Sequence, residues 1–476
     1  MLNWRMPQRV ALYTGGLAAP VLLALSETIQ WTDTNEPTGI HLGLLSSSSM
    51  FVGWTTLNEQ QPFLYWGVTY GAYTNSAMGS ASRLLRSSLC HDAEVSWTPS
   101  RPNELTSNAT HMGWLDPGTQ HQAIMTHLQA GQRIFYAIGN AGGPFNASQR
   151  SFVVPPRPEN GSLRFIVAAD LGVAEVDGSN WDDTGCVASP VELSMRGWDN
   201  RPAANTTIQM TKAVSSGALL TIINGDISYA RGFAAIWESF FDAMEPVFAA
   251  APMIVATGNH EANWPGSSSA WNTSSLDSGG ECNVVFRHRF LQPDSPSWAS
   301  YDVGPVHFVQ LSTEDDLSLE SAQLAWLATD LARATARWKV VSAHRFFYVS
   351  SSNQESDAAA GRALLDGGLE QLLTEHGVDL VLTGHHHSYQ RSCPIAFGRC
   401  IPLRLDGSAA APVYVVGGHA GAGLSGFSSE PSSIIEVAIR EHGFLACEAN
   451  ATELSCASLR SSDGSEMDSF VLRKPL

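Results

Sequence analysis

Basic residues are scarce in this chain. With 27 Lys and Arg against 45 Asp and Glu it carries a formal charge of −18, whereas a nucleic-acid binder presents a basic face. A mildly acidic secreted protein accounts for the balance, and nothing more is built on it. Paired cysteine spacing is also missing. None of the seven cysteines belongs to a C-x-x-C pair, which excludes the usual cysteine zinc sites. There is no internal repeat and no low-complexity tract, so repeat arrays are set aside. Beyond Leu25 no apolar run reaches the roughly 20 residues that a membrane-spanning helix needs.

At 476 residues the chain suits two to three domains of about 100–200 residues each, and its ordinary apolar content can build a sizeable core. The N-terminus reads as an export signal over residues 1–26: Arg5 and Arg9 precede an uncharged run, Val10–Leu25, with small residues near Ser26. The alternative is an uncleaved anchor, but Gly15, Gly16 and Pro20 interrupt a run already short for a span. Sequons at Asn108, Asn146, Asn160, Asn205, Asn272 and Asn450 fit a glycoprotein of the secretory pathway. In that oxidising setting Cys393 with Cys400, and Cys447 with Cys456, each bracket a turn-like segment and are candidate hairpin staples. Cys186 with Cys282 is a weaker pairing, and the odd count leaves at least one thiol over.

Residues 31–155 read as all-β. Short alternating runs such as Met50–Thr56 and Arg133–Gly139, separated by Gly, Pro, Asn and Ser clusters, suggest a β-sandwich. Pro155–Gly161 reads as a linker. From residue 162 buried-type strands alternate with helical stretches. The expected strands are Arg164–Ala169, Leu219–Asn224, Met253–Thr257, Val306–Leu311, Lys339–Ala343, Asp379–Thr383 and Val413–Val416; the expected helices are Thr206–Ser215, Phe233–Ala249, Leu319–Ala334 and Ala358–Glu375. This is the pattern of an α/β layered domain over 162–430, with short strands over 431–476 completing it.

Five short segments then place metal-binding side chains at loop tips, each after an expected strand: Asp170-Leu171-Gly172, Gly225–Tyr229, Gly258-Asn259-His260-Glu261, Val341–His344 and Gly384-His385-His386-His387. Strand C-terminal ends are where α/β domains build sites. Taken singly, each has a bland explanation: Asp and Asn cap helices or make turns, and a lone His is commonly a surface or core residue. Jointly they supply the donors for two adjacent cations. Asp, Tyr and His suit a hard trivalent ion, Asp, Asn and His a borderline divalent one, and a carboxylate can bridge them. Such a pair activates water and clamps the oxygens of a phosphoryl transfer.

These motifs resemble those of the purple acid phosphatases of the metallophosphoesterase superfamily. Asp170–Asn180, Gly225–Gly232 and Asp277–Cys282 resemble the long, plant-type branch, and His121–Gly131 followed by Tyr136 resembles the last hairpin of that branch's fibronectin-like domain. The resemblance implies an α/β metallophosphoesterase sandwich of two mixed sheets flanked by helices, preceded by an all-β fibronectin III-like domain. It implies a ferric site of Asp170, Asp226, Tyr229 and His387, and a second site for zinc, iron or manganese of Asp226, Asn259, His344 and His385, with Asp226 bridging. A Tyr229 phenolate on iron(III) would give the purple colour. Asn259 can ligate only through its oxygen. His260 is implied to bind phosphate or protonate the leaving oxygen; the alternative is packing beneath its loop.

The sequence departs from the family pattern in three places. Ala169 stands where Gly is usual, His386 makes a triple His, and Asn353 and Gln354 stand near where short-loop relatives carry a His pair. His386 reads as a supporting or exposed residue, and His419 as a loop histidine. The implied activity is hydrolysis of phosphate monoesters at acidic pH, a metal-bound hydroxide attacking phosphorus. One alternative is a nucleotide pyrophosphatase/phosphodiesterase, and another an inactive secreted binding glycoprotein whose sandwich serves adhesion. Small phosphorylated substrates are the expected partners. Family members often dimerise, though no segment marks an interface. The destination reads as secreted, vacuolar or lysosomal.

Overall fold

The computed structural model describes residues 5–475 apart from 6, 16–19, 59–60, 91–115, 146–147, 158–160, 174–201, 268–270, 272–274, 276 and 431. Two β-sheets face each other across its centre. One has ten strands, in the order Glu466–Arg473, Glu453–Arg460, Gly443–Ala449, Leu163–Ala168, Leu220–Asn224, Met253–Ala256, Thr38–Ser46, Ser49–Thr56, Thr119–Met125 and Ser80–Arg83. The other runs Ala299–Val303, Val306–Gln310, Trp338–Ser342, Leu380–Thr383, Val413–Gly417, Tyr389–Ala396 and Arg399–Cys400, with Ile435–Ile439 also pairing Tyr389–Ala396. Phe165 and Phe308 meet edge-on between the sheets, 5.2 Å apart. Val167, Ile222, Val340 and Leu382 fill the same layer. Burial on both faces explains why these strands read as continuous apolar runs. Each fully buried large side chain contributes roughly 1.5–3 kcal/mol.

Helices Pro202–Ser215 and Ala234–Phe248 cover the outer face of the first sheet through Met210, Trp237 and Phe240. Helix Ala322–Arg333, capped by Ser321 accepting from Leu324 N–H (3.1 Å), covers the second. The expected helix Ala358–Glu375 is not continuous: Glu355–Leu364 passes through a π turn, Leu365–Leu369, into Glu370–Glu375. Gly368 at φ 115 breaks it, a conformation that glycine reaches at little cost.

The N-terminal sandwich is not separated from the α/β unit by its linker. Gly43 pairs in parallel with Met253, so one sheet runs through both. Tyr136 donates to the carbonyl of Ala249 (2.8 Å) and Arg150 Nε to Glu245 Oε1 (2.8 Å), fixing the sandwich to the Ala234–Phe248 helix. The expected final hairpin is corrected: Thr119–Met125 pairs with Ser49–Thr56, whereas Arg133–Asn140 pairs with Phe63–Gly67 and Arg150–Val153. The connection crosses between sheets, and both strands send side chains into one core: Ala123 and Met125 from the first, Ile134, Tyr136 and Ile138 from the second. Within the segment read as an export signal, Ala11–Thr14 and Val21–Leu25 form an exposed hairpin, and the buried Arg5 guanidinium donates to the carbonyls of Thr34 (3.0 Å), Glu36 (2.9 Å) and Thr55 (2.8 Å). Among the described residues no helix is long and apolar enough to cross a membrane.

Cys393–Cys400 and Cys447–Cys456 are disulfides, each across two antiparallel strands. The third pairing is corrected: Cys282 bonds Cys90, 192 positions earlier, and not Cys186, which lies outside the described residues. The Cys90 N–H donates to Gly280 (3.0 Å), which brings the two cysteines together. Of the sequons, Asn205 is exposed, and Asn450 caps its own turn through Oδ1, accepting from Thr452 N–H (2.9 Å); Asn108, Asn146, Asn160 and Asn272 lie outside the described residues.

His307 clamps an edge of the second sheet, with Asp302 and Asp330 each 2.8 Å from one ring nitrogen. Burial opposes its charge, but the hydrogen bonds to Asp302 and Asp330 win and push its pKa up to about 9. A folded-state pKa above the usual 6.5 means that this stabilisation is full below pH 6.5 and fades as pH rises through 9. Asp302 is half exposed, so solvent screens part of it. His307→Gln is therefore expected to cost about 1–2 kcal/mol at pH 5–6 and little at pH 10, measured as denaturation midpoints at the two pH values.

Candidate metal centre

Seven expected ligands converge at one edge of the paired sheets, because their strands run parallel and end in register: Ala168 beside Ile223, Asn224 beside Ala256, and Ser342 beside Leu382. The turns that follow are strained. Asp170 (φ 56), Asp226 (φ 47), Tyr229 (φ 53) and His385 (φ 66) all sit in the left-handed region, at about 1–3 kcal/mol each, and such strain persists where surrounding contacts fix a site. Two glycines are required by space alone. A Cβ on Gly258 would lie 2.2 Å from Asp226 Oδ1, and one on Gly384 2.6 Å from Asp170 Oδ2.

The donors form two groups that share Asp226. Asp226, His344 and His385 make one; Asp170, Asp226 and His387 make the other; within each, the ligand atoms lie within 4.8 Å of one another and all are buried. Tyr229 joins the second, its hydroxyl 3.0 Å from His387 Nε2 and 3.2 Å from Asp170 Oδ1. Asn259 joins the first, its Oδ1 2.9 Å from His344 Nε2. The distal ring nitrogens are spoken for: His344 Nδ1 by the Asn224 carbonyl (2.8 Å) and His387 Nδ1 by the Gly423 carbonyl (2.7 Å). Each carbonyl needs a proton there, which leaves Nε2 to face a cation. In His385 the order reverses. Nε2 is the nitrogen in contact with Asp357 Oδ2 (2.7 Å) and Arg345 Nη1 (3.2 Å), which leaves Nδ1 to face a cation. Arg345, bidentate on Glu314 (2.8 and 3.1 Å), stands 3.5 Å from the same Asp357 oxygen and orients it.

The electrostatics fit cations. Burial would raise the Asp226 pKa, but His344 and His260 outweigh it and hold the carboxyl far below the usual range. Burial would lower His344, but Asp226 pushes it up to about 10. Burial, then Asp170, keeps the Tyr229 phenol protonated well past its ordinary range. A cation bound there would displace protons from His344 and Tyr229. Two carboxylates, a phenol, an amide oxygen and three imidazoles match a pair of ions, one hard and one borderline.

His260 belongs to this cluster. Its ring lies 4.5 Å from that of Tyr229, with Nε2 3.8 Å from Asp226 Oδ2. His386 and His419 do not. His386 is buried, with Ser388 Oγ at 2.8 Å and the Gly426 carbonyl at 3.2 Å, and His419 Nε2 meets Ser458 Oγ at 3.1 Å. Gln354, near the place of the absent His pair, donates to the His385 carbonyl (3.3 Å). The residue read for its motif but given no role is Glu261. Its carboxylate accepts the backbone N–H of Asp226 (3.0 Å), Ile227 (2.9 Å) and Gly258 (2.9 Å), joining two ligand loops. A cavity of about 460 Å³ lies elsewhere, between Trp31, Arg150 and Asp242. The metal centre is marked by its chemistry.

Against known proteins, residues 163–389 match the calcineurin-like phosphoesterase family, 37–153 the purple acid phosphatase N-terminal domain, and 411–469 the iron/zinc purple acid phosphatase-like C-terminal region. Over 494 aligned residues the chain is 30% identical to probable inactive purple acid phosphatase 1 of Arabidopsis thaliana, covering 100% of this chain and 75% of that one. The chain belongs to the purple acid phosphatase family. Its fold follows that of purple acid phosphatase PPD1 from yellow lupin (Lupinus luteus) seeds, with a TM-score of 0.85 and 26% identity over 99% of this chain and 80% of that one. A nucleotide pyrophosphatase/phosphodiesterase of Hordeum vulgare is 28% identical over 69% of this chain and 88% of that one. Four of the Arabidopsis purple acid phosphatase relatives are named as probably inactive, while the barley relative is named for diester and pyrophosphate chemistry.

Proposed function

We propose that this purple acid phosphatase hydrolyses phosphate monoesters at acidic pH, with Fe(III) held by Asp170, Asp226, Tyr229 and His387 and divalent zinc, iron or manganese held by Asp226, Asn259, His344 and His385. The observation that carries the reading is the shared, buried Asp226 carboxylate, with a complete donor group on either side. Bound there, the two cations would activate water and offset charge on the phosphoryl oxygens. The chain's own part is to hold these donors in a dry, strained frame and to present His260. With its Nδ1 on the Asp277 carbonyl (3.0 Å), His260 directs Nε2 at the cluster, placed to bind phosphate or protonate the leaving oxygen.

The name of the barley relative favours a second reading, a nucleotide pyrophosphatase/phosphodiesterase built on the same site. Rates on a monoester and a bis-ester at matched pH separate the two. The names of the plant relatives keep an inactive secreted glycoprotein as the competitor from another class. The protein is read as secreted, vacuolar or lysosomal, with glycosylation at its sequons, and three disulfides support an oxidising compartment.

The purified protein is expected to be purple, and Tyr229→Phe to lose the visible band while keeping the fold. A colourless protein that hydrolyses phosphate esters would remove iron from the reading. A colourless, inert protein without metal would overturn the phosphatase reading and favour the glycoprotein one.

A further inference from the structure

The stretch Asp277–Asn283 braces the metal centre without ligating it. Asp277 Oδ2 accepts the Asn259 amide N–H at 3.0 Å and lies 3.5 Å from the Asn263 amide. An amide donating from Nδ2 on one side must turn Oδ1 to the other, where His344 stands 2.9 Å away. The Asp277 carbonyl lies 3.0 Å from His260 Nδ1. A carbonyl only accepts, so His260 carries a proton on Nδ1. One residue thereby fixes an amide orientation and a histidine tautomer.

The stretch is itself held on several sides. Ser278 N–H donates to Asn263 (3.0 Å) and Asn283 N–H to Glu261 (2.7 Å). Glu281 accepts from Gly232 N–H (2.8 Å) and Trp237 Nε1 (3.1 Å). Gly279 lies so close to the Arg231 carbonyl that a Cβ would fall 1.9 Å from it. Its covalent anchor comes from the other domain: Cys282 is bonded to Cys90, whose neighbour Leu89 is buried with Leu84, Val285 and Phe286.

We propose that the N-terminal domain is a positioning element of the metal centre. The Cys90–Cys282 bond holds the 277–283 loop, and through Asp277 it sets the Asn259 amide and the His260 tautomer. Asp277 is a positioning residue. The inference rests on the two-metal reading only for its effect on metal uptake, since the ordering of the loop needs no metal.

The test uses the full chain with Cys90→Ser/Cys282→Ser, Asp277→Ala and Asp277→Asn, the last keeping an acceptor for the Asn259 amide. Hydrogen exchange of the amides of residues 258–263 is followed in chelated protein, and half-loading by Zn²⁺ is measured separately. The serine pair and Asp277→Ala are each expected to speed exchange there about tenfold. Each should also raise the half-loading concentration about 10–100-fold, the range for lost supporting contacts around a metal. Asp277→Asn should stay within about threefold of the parent, and combining Asp277→Ala with the serine pair should add less than the product of the separate effects. Unchanged exchange at 258–263 in the serine pair overturns the proposal, even if amides of the N-terminal strands speed up. If exchange responds as expected but the parent takes up no metal, the two-metal reading fails and the positioning role stands.

Discussion

On the proposed two-metal function, Asp226→Asn is expected to release both metals and lower phosphatase activity by about 10²–10³-fold, the scale seen when stabilisation of transition-state charge is removed. Among the described residues no other donor belongs to both groups. Its carboxylate is 1% exposed; Oδ1 accepts the His260 N–H (2.9 Å) and lies 3.3 Å from His344 Nε2. Asn keeps the volume and one acceptor oxygen but loses the negative charge and the second oxygen, so it cannot bridge. The loss therefore falls on metal binding more than on folding, and metal content should drop for both ions together. His260→Ala makes the contrast. It removes a group beside the cluster and outside the donor set, so both metals should stay while the rate falls by about 10²–10⁴, the range for a lost proton donor. Elemental analysis beside initial rates reads both. Full retention of both metals by Asp226→Asn would show that this carboxylate does not bridge.

The strands that position the centre were readable because they are buried on both faces. Leu220–Asn224, with every residue buried, leaves a continuous apolar run that ends at Gly225-Asp226, where periodicity stops and ligand chemistry starts. The ligand loops were readable for a related reason: Asp, Tyr, Asn and His in tight Gly-flanked turns have few other uses in combination. Other features depend on contacts that no local pattern carries. The parallel pairing of Gly43 with Met253 joins segments on either side of a Pro-rich linker, and the linker hides it. The Cys90 partnership follows from where the 277–283 loop lands, which no local pattern carries. The helix expected through residue 375 kept its apolar period across Gly367-Gly368, and only the backbone shows the break. Asp277 and Glu261 act on an amide, a ring and backbone N–H groups, so their importance is visible only after folding.

Glu261→Ala is expected to cost about 3–5 kcal/mol of stability and to weaken metal binding with it. Glu261 is 1% exposed, and its two oxygens accept three backbone N–H groups, from Asp226, Ile227 and Gly258. Removing the carboxylate leaves all three donors buried without an acceptor, at about 1–3 kcal/mol each, and opens a polar void that water can only partly fill. The loss falls where the backbone is already strained: Asp226 at φ 47 stays in the left-handed region because its N–H and that of Ile227 are held. Burial, reinforced by Asp226, pushes the Glu261 pKa up to about 8 in the metal-free protein, while two bound cations would favour its charged form. Glu261→Gln is the sharper probe. It keeps one oxygen, but its amide nitrogen must face N–H donors, so it should also destabilise, by less than Ala. Denaturant unfolding of the chelated proteins gives the folding cost, and metal titration under native conditions gives the coupling to the centre. If Glu261→Ala unfolds with the parent midpoint, the three hydrogen bonds do not support the ligand loops. If it is destabilised but binds metal as tightly as the parent, the carboxylate supports the fold and not the centre. The geometry predicts both losses together, because one of the N–H groups it holds belongs to Asp226, which both donor groups share, and another to Ile227 beside it.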